Sequence, residues 1–289
     1  MTTFRQALEA TELALQAAGV CYGHGYADSH DEAVALVLAA ADLDPLSGVE
    51  ILDRPVAPES LNLLAEYTSL RVNERLPVAY IIGRAALGDL VFHCDARALV
   101  PRSPLMAVIL SNYEPWYRGR QPPRIVDLCC GGGSLGLLAA HHAPASEVLM
   151  LDLDADALDL ARINLHEHAF PNVCCVQGDL LTGIASGTVD IILANPPYVD
   201  AEDMASLPRE YRHEPRVALA AGVDGLDLVH RLLMQSKAVL APLGLLFLEV
   251  GNSAPALVDA YPNLPMIWLD LEHGGDGVCV IAKEDLNLL

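Results

Sequence analysis

Arg124-Ile125-Val126-Asp127-Leu128-Cys129-Cys130-Gly131-Gly132-Gly133-Ser134-Leu135-Gly136 is the stretch whose reading decides the fold. An apolar run of strand length, Ile125 to Cys130, passes directly into three glycines and then into Leu135 to His141, which reads as a helix. The same grammar repeats downstream. Val148 to Leu153, Val173 to Val176 and Val189 to Ala194 read as strands two to four, and Leu243 to Val250 as a fifth. Ala155 to His168 and Leu226 to Leu240 supply covering helices, while Met266 to Leu271 and Val278 to Ala282 close the sheet as a hairpin across Gly274-Gly275. Strands alternating with helices predict an α/β fold with a doubly wound, mostly parallel sheet.

Upstream the grammar differs. Apolar residues from Thr3 to Arg75 recur at helical spacing, as in Leu8, Leu13, Leu15 and then Ala33, Val34, Leu36, Val37. A helix from Glu59 to Arg75 must stop before Pro77, which cannot continue the hydrogen-bond ladder. Gly83 to Val100 then reads as two short runs around Gly88-Asp89, a hairpin. The expected division is a helical domain at 1–76, a β-hairpin linker at 77–101 and the α/β domain at 102–289.

Composition narrows the function classes. Hydrophobic residues make up 53% of the 289, yet charges and turn residues interrupt every apolar run before the ~18 residues of a membrane span. The start, Met1-Thr2-Thr3-Phe4-Arg5-Gln6, lacks a basic segment feeding an apolar stretch, so the cytoplasm is expected. Seven cysteines in a chain this long suggest small buried hydrophobes rather than a disulfide framework. The close histidine pairs, His141-His142 and His166/His168, have no cysteine or third histidine at a zinc-ligand offset, so no metal site is expected. With 38 acidic and 17 basic residues the net charge is −21, which repels nucleic acid. Such a surface either serves solubility or docks a basic partner.

The glycine turn lets backbone approach a ligand closely, with helical N–H groups pointing into the crevice. Asp152 ends strand two, where a carboxylate can accept both hydroxyls of a ribose, and Asp179 after strand three is placed for an adenine amino group. Gly131-x-Gly133-x-x-Gly136 also satisfies a dinucleotide fingerprint. Asp127 favours S-adenosylmethionine over a dinucleotide, because a carboxylate there suits a methionyl ammonium and would repel a pyrophosphate.

After strand four comes Asn195-Pro196-Pro197-Tyr198, at the edge where open α/β sheets bind substrates. An amide nitrogen is a poor nucleophile and needs a close grip. The Asn195 side-chain oxygen and the Pro196 carbonyl can each accept one N–H of a planar NH2 group, and Tyr198 can stack on it and exclude water. Pro196 and Pro197 restrict the backbone.

These residues resemble the protein N5-glutamine methyltransferases, whose members modify either peptide release factors or a large-subunit ribosomal protein. The resemblance spans nearly the whole chain. It implies a class I (Rossmann-like) S-adenosylmethionine-dependent methyltransferase with seven strands, the last pair reversed in order, behind a small helical domain and a β-hairpin. Four stretches look like the ribosomal-protein branch: Cys21-Tyr22-Gly23-His24-Gly25, Val100-Pro101-Arg102-Ser103-Pro104, Tyr211-Arg212-His213-Glu214-Pro215 and Glu249-Val250-Gly251-Asn252-Ser253. The resemblance thus implies the basic ribosomal protein three of the large subunit as substrate, attracted by the acidic surface, with no direct nucleic-acid partner.

Carried over by position, Asp127, Gly131, Gly133, Asp152, Asp179 and Asn195 become cofactor contacts, with Cys129, Leu153 and Leu180 beside them. Asn195, Pro196, Pro197 and Tyr198 become the glutamine clamp. Arg102 and Glu214 either line the substrate side of the site or form a surface or interdomain ion pair. Two departures stand out: Cys130-Gly131-Gly132-Gly133 where relatives alternate Thr or Ser with Gly, and Ala107 where a glutamate is common. Competing readings are a release-factor methyltransferase, a nucleic-acid adenine methyltransferase, a nicotinamide-dependent oxidoreductase and an adenosine-binding module without turnover.

Overall fold

The computed structural model describes residues 1–118, 121–271 and 275–289. Helix α1 (Phe4–Ala18) starts on a capping box, in which Thr3 Oγ1 accepts from the Gln6 N–H and the Gln6 side chain accepts from the Thr3 N–H. It ends at Gly19, whose φ of +58° suits glycine. With α2 (Ser29–Ala40), α3 (Pro58–Ser69) and α4 (Val78–Ile82) it encloses a small core that includes Phe4, Leu36, Leu64 and Val78.

The helix predicted over 59–75 is α-helical only to Ser69 and then widens into a π-helical turn, Leu70–Glu74. Tertiary ion pairing accounts for the departure. Within that turn the fully buried Arg71 donates to both oxygens of Glu32, to Glu210 Oε1 and to the Cys21 carbonyl.

Strands β1 (Arg84–Leu87) and β2 (Leu90–His93) pair antiparallel around Gly88-Asp89, as expected. Leu87 and Phe92 are buried among residues of the α/β core, so the hairpin is packed into that domain and is more than a tether. A short helix, α5 (Leu105–Leu110), follows.

The chain then runs β3 (Arg124–Leu128), α6 (Ser134–His142), β4 (Glu147–Asp152), α7 (Ala155–His168), β5 (Val173–Gln177), β6 (Val189–Ala194), α8 (Ala201–Ser206), α9 (Asp227–Val239), β7 (Leu240–Glu249), α10 (Ala254–Ala260), β8 (Ile267–Trp268) and β9 (Val278–Ala282). Among the described residues seven strands form one sheet in the order β5-β4-β3-β6-β7-β9-β8. The first five are parallel; β9 runs antiparallel to both β7 and β8, the reversed last pair that was expected. Central β3 and β6 are buried along nearly their whole length because helices cover both faces.

Several boundaries moved. β3 ends at Leu128, not Cys130, because Cys129 adopts φ +58° and leaves the strand geometry. β7 starts earlier, at Leu240, and its register against β6 slips between Val189 and Ile191, a slip accompanied by φ +66° at Leu243. β8 shrinks to two exposed residues at the sheet edge. The turn expected at Gly274-Gly275 begins outside the described residues. All seven cysteines are free, but Cys174 is exposed on edge strand β5 and so departs from the expected burial.

The order places a topological switch at β3 and β6, since the chain winds one way from β3 through β5 and the other way from β6. Leu128 and Ala194 are register partners. Their successors, Cys129 and Asn195, therefore open the same crevice.

Candidate active site

A cavity lies at the carboxyl ends of β3, β4 and β6, lined by Asp127, Gly131, Asp152, Asp179, Asn195 and Tyr198 among others. Each side reflects a local requirement of the sequence.

On the glycine-loop side, Gly133 takes φ +81°, and a Cβ there would lie 2.9 Å from Met150 Sδ. A Cβ on Gly136 would lie 2.6 Å from Met150 Cγ and 3.0 Å from Asp127 Oδ2, so only glycine lets α6 approach the sheet. Asp127 is buried, and its Oδ2 accepts the Gly136 N–H at 2.7 Å. Burial pushes its carboxyl up to about 7, against that hydrogen bond and with help from the nearby Asp152 charge. A buried carboxylate without a cation is the complement of a ligand ammonium.

Asp152 Oδ2 accepts from the Gly131 N–H at 2.8 Å and Oδ1 from the Asp154 N–H at 2.9 Å. It thereby ties the glycine loop to β4, and burial holds its carboxyl above the usual range despite those bonds. Cys129, Leu153 and Leu180 line the cavity, Leu153 being largely exposed and Leu180 buried with φ +51°. Asp179 lines it too, half-exposed and paired with Arg231 at 2.6 Å.

On the β6 side, Asn195 lines the cavity, and its side-chain amide makes no hydrogen bond to any other described residue. Pro197 lines it as well, whereas Pro196 is buried outside the wall. Tyr198 is held at several points. Its hydroxyl donates to Glu249 Oε1 at 3.1 Å, and its carbonyl accepts from Ser253 Oγ at 2.7 Å. Its ring packs so close to Gly251 that a Cβ there would lie 2.6 Å from Tyr198 Cε2.

Glu249 Oε2 in turn accepts from Ser103 Oγ at 2.5 Å. Burial raises the Glu249 carboxyl, and these two hydrogen bonds oppose the rise. Burial together with the Glu249 charge pushes the Tyr198 phenol up, so it remains a hydrogen-bond donor.

Arg102 lines the cavity, and Glu214, fully buried behind it, does not. The two form a bidentate pair, Nη1–Oε1 at 2.5 Å and Nη2–Oε2 at 2.8 Å, and Glu214 also accepts from the Val100 N–H. Burial would raise the Glu214 carboxyl, but His24 and Arg102 outweigh it and hold it at about 2. Arg102 is the firmer partner, because His24 Nε2 lies 3.5 Å away without good hydrogen-bond alignment. The two residues thus form an ion pair in which Glu214 is buried and only Arg102 reaches the cavity.

The four signature stretches, scattered through the sequence, meet around this wall. The His24 ring lies 4.4 Å from that of Tyr211, the Arg102 guanidinium lies over the Tyr211 ring at 5.4 Å from its centroid, and Ser103 and Ser253 reach Glu249 and Tyr198. Sequence reasoning gave Ser103, Glu249 and Ser253 no role of their own. A charged residue ending an otherwise apolar strand, as Glu249 ends β7, was the signal available. Ala107 does not line the cavity.

A family model described as the methyltransferase small domain matches residues 109–210. The chain is 38% identical to the ribosomal protein uL3 glutamine methyltransferase of Bordetella pertussis, covering 99% of this chain and 97% of that one. It is 36% identical to the protein of the same name from Neisseria gonorrhoeae, covering 99% and 96%. Among solved structures, the hMettl16 catalytic domain in complex with the MAT2A 3'UTR hairpin 1 aligns with a TM-score of 0.53 at 15% identity, over 77% of this chain and 79% of that one, a likeness of fold.

Proposed function

Because this chain belongs to the family of the ribosomal protein uL3 glutamine methyltransferases, we propose that it transfers a methyl group from S-adenosylmethionine to the side-chain amide nitrogen (N5) of a glutamine in that ribosomal protein. The observation that carries the chemistry is Asn195: an unpartnered amide at the end of β6, beside the glycine loop, followed by two prolines and a fixed tyrosine.

The cavity fits the cofactor's groups. The buried Asp127 carboxylate would hold the methionyl ammonium, Asp152 the ribose hydroxyls and Asp179 the adenine amino group, while Cys129, Gly131, Gly133, Leu153 and Leu180 would supply close backbone and apolar wall. When bound, S-adenosylmethionine supplies a sulfonium methyl, whose bond to sulfur breaks as the new bond to nitrogen forms, with the electron pair staying on sulfur.

The protein's residues do the positioning. Asn195 Oδ1 and the Pro196 carbonyl accept the two amide N–H groups and aim the nitrogen lone pair at the methyl. Those bonds strengthen as positive charge grows on nitrogen, which favours the transition state. Tyr198 and Pro197 wall the amide off from water during transfer, and the methylated nitrogen loses its extra proton to water as the product leaves the clamp. Arg102 and Glu214 support the substrate side of this wall.

We read the chain as a helical domain at 1–76, a hairpin linker at 77–101 and the catalytic domain at 102–289. A cytoplasmic enzyme acting without direct nucleic-acid contact fits the charge of −21, and no helix among the described residues is long and apolar enough to cross a membrane.

The test is transfer of labelled methyl from S-adenosylmethionine to purified uL3, with a release factor and adenine-containing DNA in parallel. Label on uL3 that falls by about 100-fold or more in Asn195→Ala supports the reading, since one transition-state hydrogen-bonding group is worth roughly that much. Label on another substrate overturns it.

A further inference from the structure

We propose that Asp89, His141 and His142 form a binding site for a divalent transition ion of the zinc class, clamping the tip of the β1–β2 hairpin to the end of α6. The three residues are brought together only by the fold, at sequence separations of 52 and 53. His141 Nε2 lies 3.1 Å from Asp89 Oδ2 and His142 Nε2 lies 3.2 Å from Asp89 Oδ1. The three potential ligand atoms lie within 4.8 Å of one another.

Those spacings suit a small ion. Bonds of about 2.0 to 2.1 Å from zinc to imidazole nitrogen and carboxylate oxygen make a tetrahedron with an edge of roughly 3.3 Å. Two imidazoles and one carboxylate select zinc-class ions over calcium or magnesium, which prefer oxygen ligands throughout. The side chains are 30 to 52% exposed, so an ion has an entry path and the fourth position opens to solvent.

The frame that holds the ligands is stiff. Asp89 follows Gly88, where a Cβ would come within 3.1 Å of Leu138 on α6, so the hairpin tip already lies against the helix that carries both histidines. The His141 ring packs 5.8 Å from Phe170 and 5.1 Å from the His142 ring. An ion therefore meets a site that needs little rearrangement, and binding adds a link between linker and catalytic domain.

The experiment is calorimetric titration of the full, tag-free chain with Zn2+, repeated with Mg2+ and Ca2+, on wild type, Asp89→Asn, His142→Gln and Cys174→Ser. The expected result is one equivalent of Zn2+ bound, no binding of Mg2+ or Ca2+, and wild-type behaviour in Cys174→Ser. Partners outside the ligand sphere are typically worth about 10- to 100-fold in affinity, so losing a ligand in Asp89→Asn or His142→Gln costs at least about tenfold. A parallel thermal melt should show a Zn2+-dependent rise that both ligand variants lose. No saturable binding, or binding that survives both ligand substitutions, overturns the proposal. Circular dichroism of the variants separates lost ligation from lost folding.

Discussion

The Tyr198 hydroxyl donates to Glu249 Oε1 at 3.1 Å, which ties the last residue of the Asn-Pro-Pro-Tyr loop to the last residue of β7 across 51 residues of sequence. The carboxylate's other oxygen is taken by Ser103, so Glu249 accepts from two hydroxyls and has no spare donor to offer. The tyrosine is therefore held from the end of the neighbouring strand and the turn that follows it, through Glu249, Gly251 and Ser253.

Removing that tie should loosen the grip on the amide more than it weakens cofactor binding. Tyr198→Phe keeps the ring and loses one hydrogen bond worth about 1 kcal/mol, so kcat should fall about five- to tenfold with cofactor Kd unchanged. Glu249→Gln offers one acceptor to two hydroxyl donors and should fall further. Steady-state kinetics on uL3, with calorimetric Kd for S-adenosylmethionine, checks both; a variant that changes only KM for uL3 would assign the tie to substrate docking instead.

Asp127 gives the cofactor a pH dependence. Its free carboxyl sits at about 7, and an ammonium ligand favours the ionised form. Below pH 7 the carboxyl must lose a proton before the cofactor binds, so affinity should weaken about tenfold per pH unit as pH falls and level off above 7. Calorimetry at several pH values in two buffers reads the released proton directly. The slope should vanish in Asp127→Asn, together with most of the affinity.

Arg71 joins α2 to the segment after α8 through Glu32 on one side and Glu210 on the other, with all three side chains buried. Arg71→Ala leaves buried Glu32 without its cation and Glu210 with only Arg75 at 3.5 Å, which should cost about 3 to 5 kcal/mol of stability by chemical denaturation. Replacing all three by apolar residues should restore much of the loss.

The net charge of −21 acts at long range on a basic substrate. Raising ionic strength from 0.05 to 0.5 M (about 14 to about 4 Å in Debye length) should therefore raise KM for free uL3 and leave kcat nearly unchanged. A KM independent of salt would leave the acidic surface with solubility as its role.

Much of this protein was legible before any coordinates. The β-run into Gly131-Gly132-Gly133 and the alternation that follows specify an open parallel sheet, because strand and helix periods are local properties of ten or so residues. The same locality made Asp127, Asp152 and Asn195 readable, since each lies within one residue of the carboxyl end of a strand, at the edge where such sheets bind ligands. The sequence by itself therefore determined the fold and placed the glycine loop and the Asn-Pro-Pro-Tyr segment at one edge of the sheet.

Only the tertiary structure decided what supports them. Ser103 and Glu249 are 146 residues apart, Arg71 and Glu210 139, and Asp89 and His142 53, and no periodicity links such positions. Burial chose the first two pairs: a charge or hydroxyl carried inside must find a partner wherever the packed elements place one, and the cost of leaving it unpaired outweighs local preference; the third, at the surface, was set by where the hairpin tip meets α6. The helix over 58–74 shows that priority most plainly, widening its last turn around the buried Arg71 although its sequence reads as an unbroken α-helix.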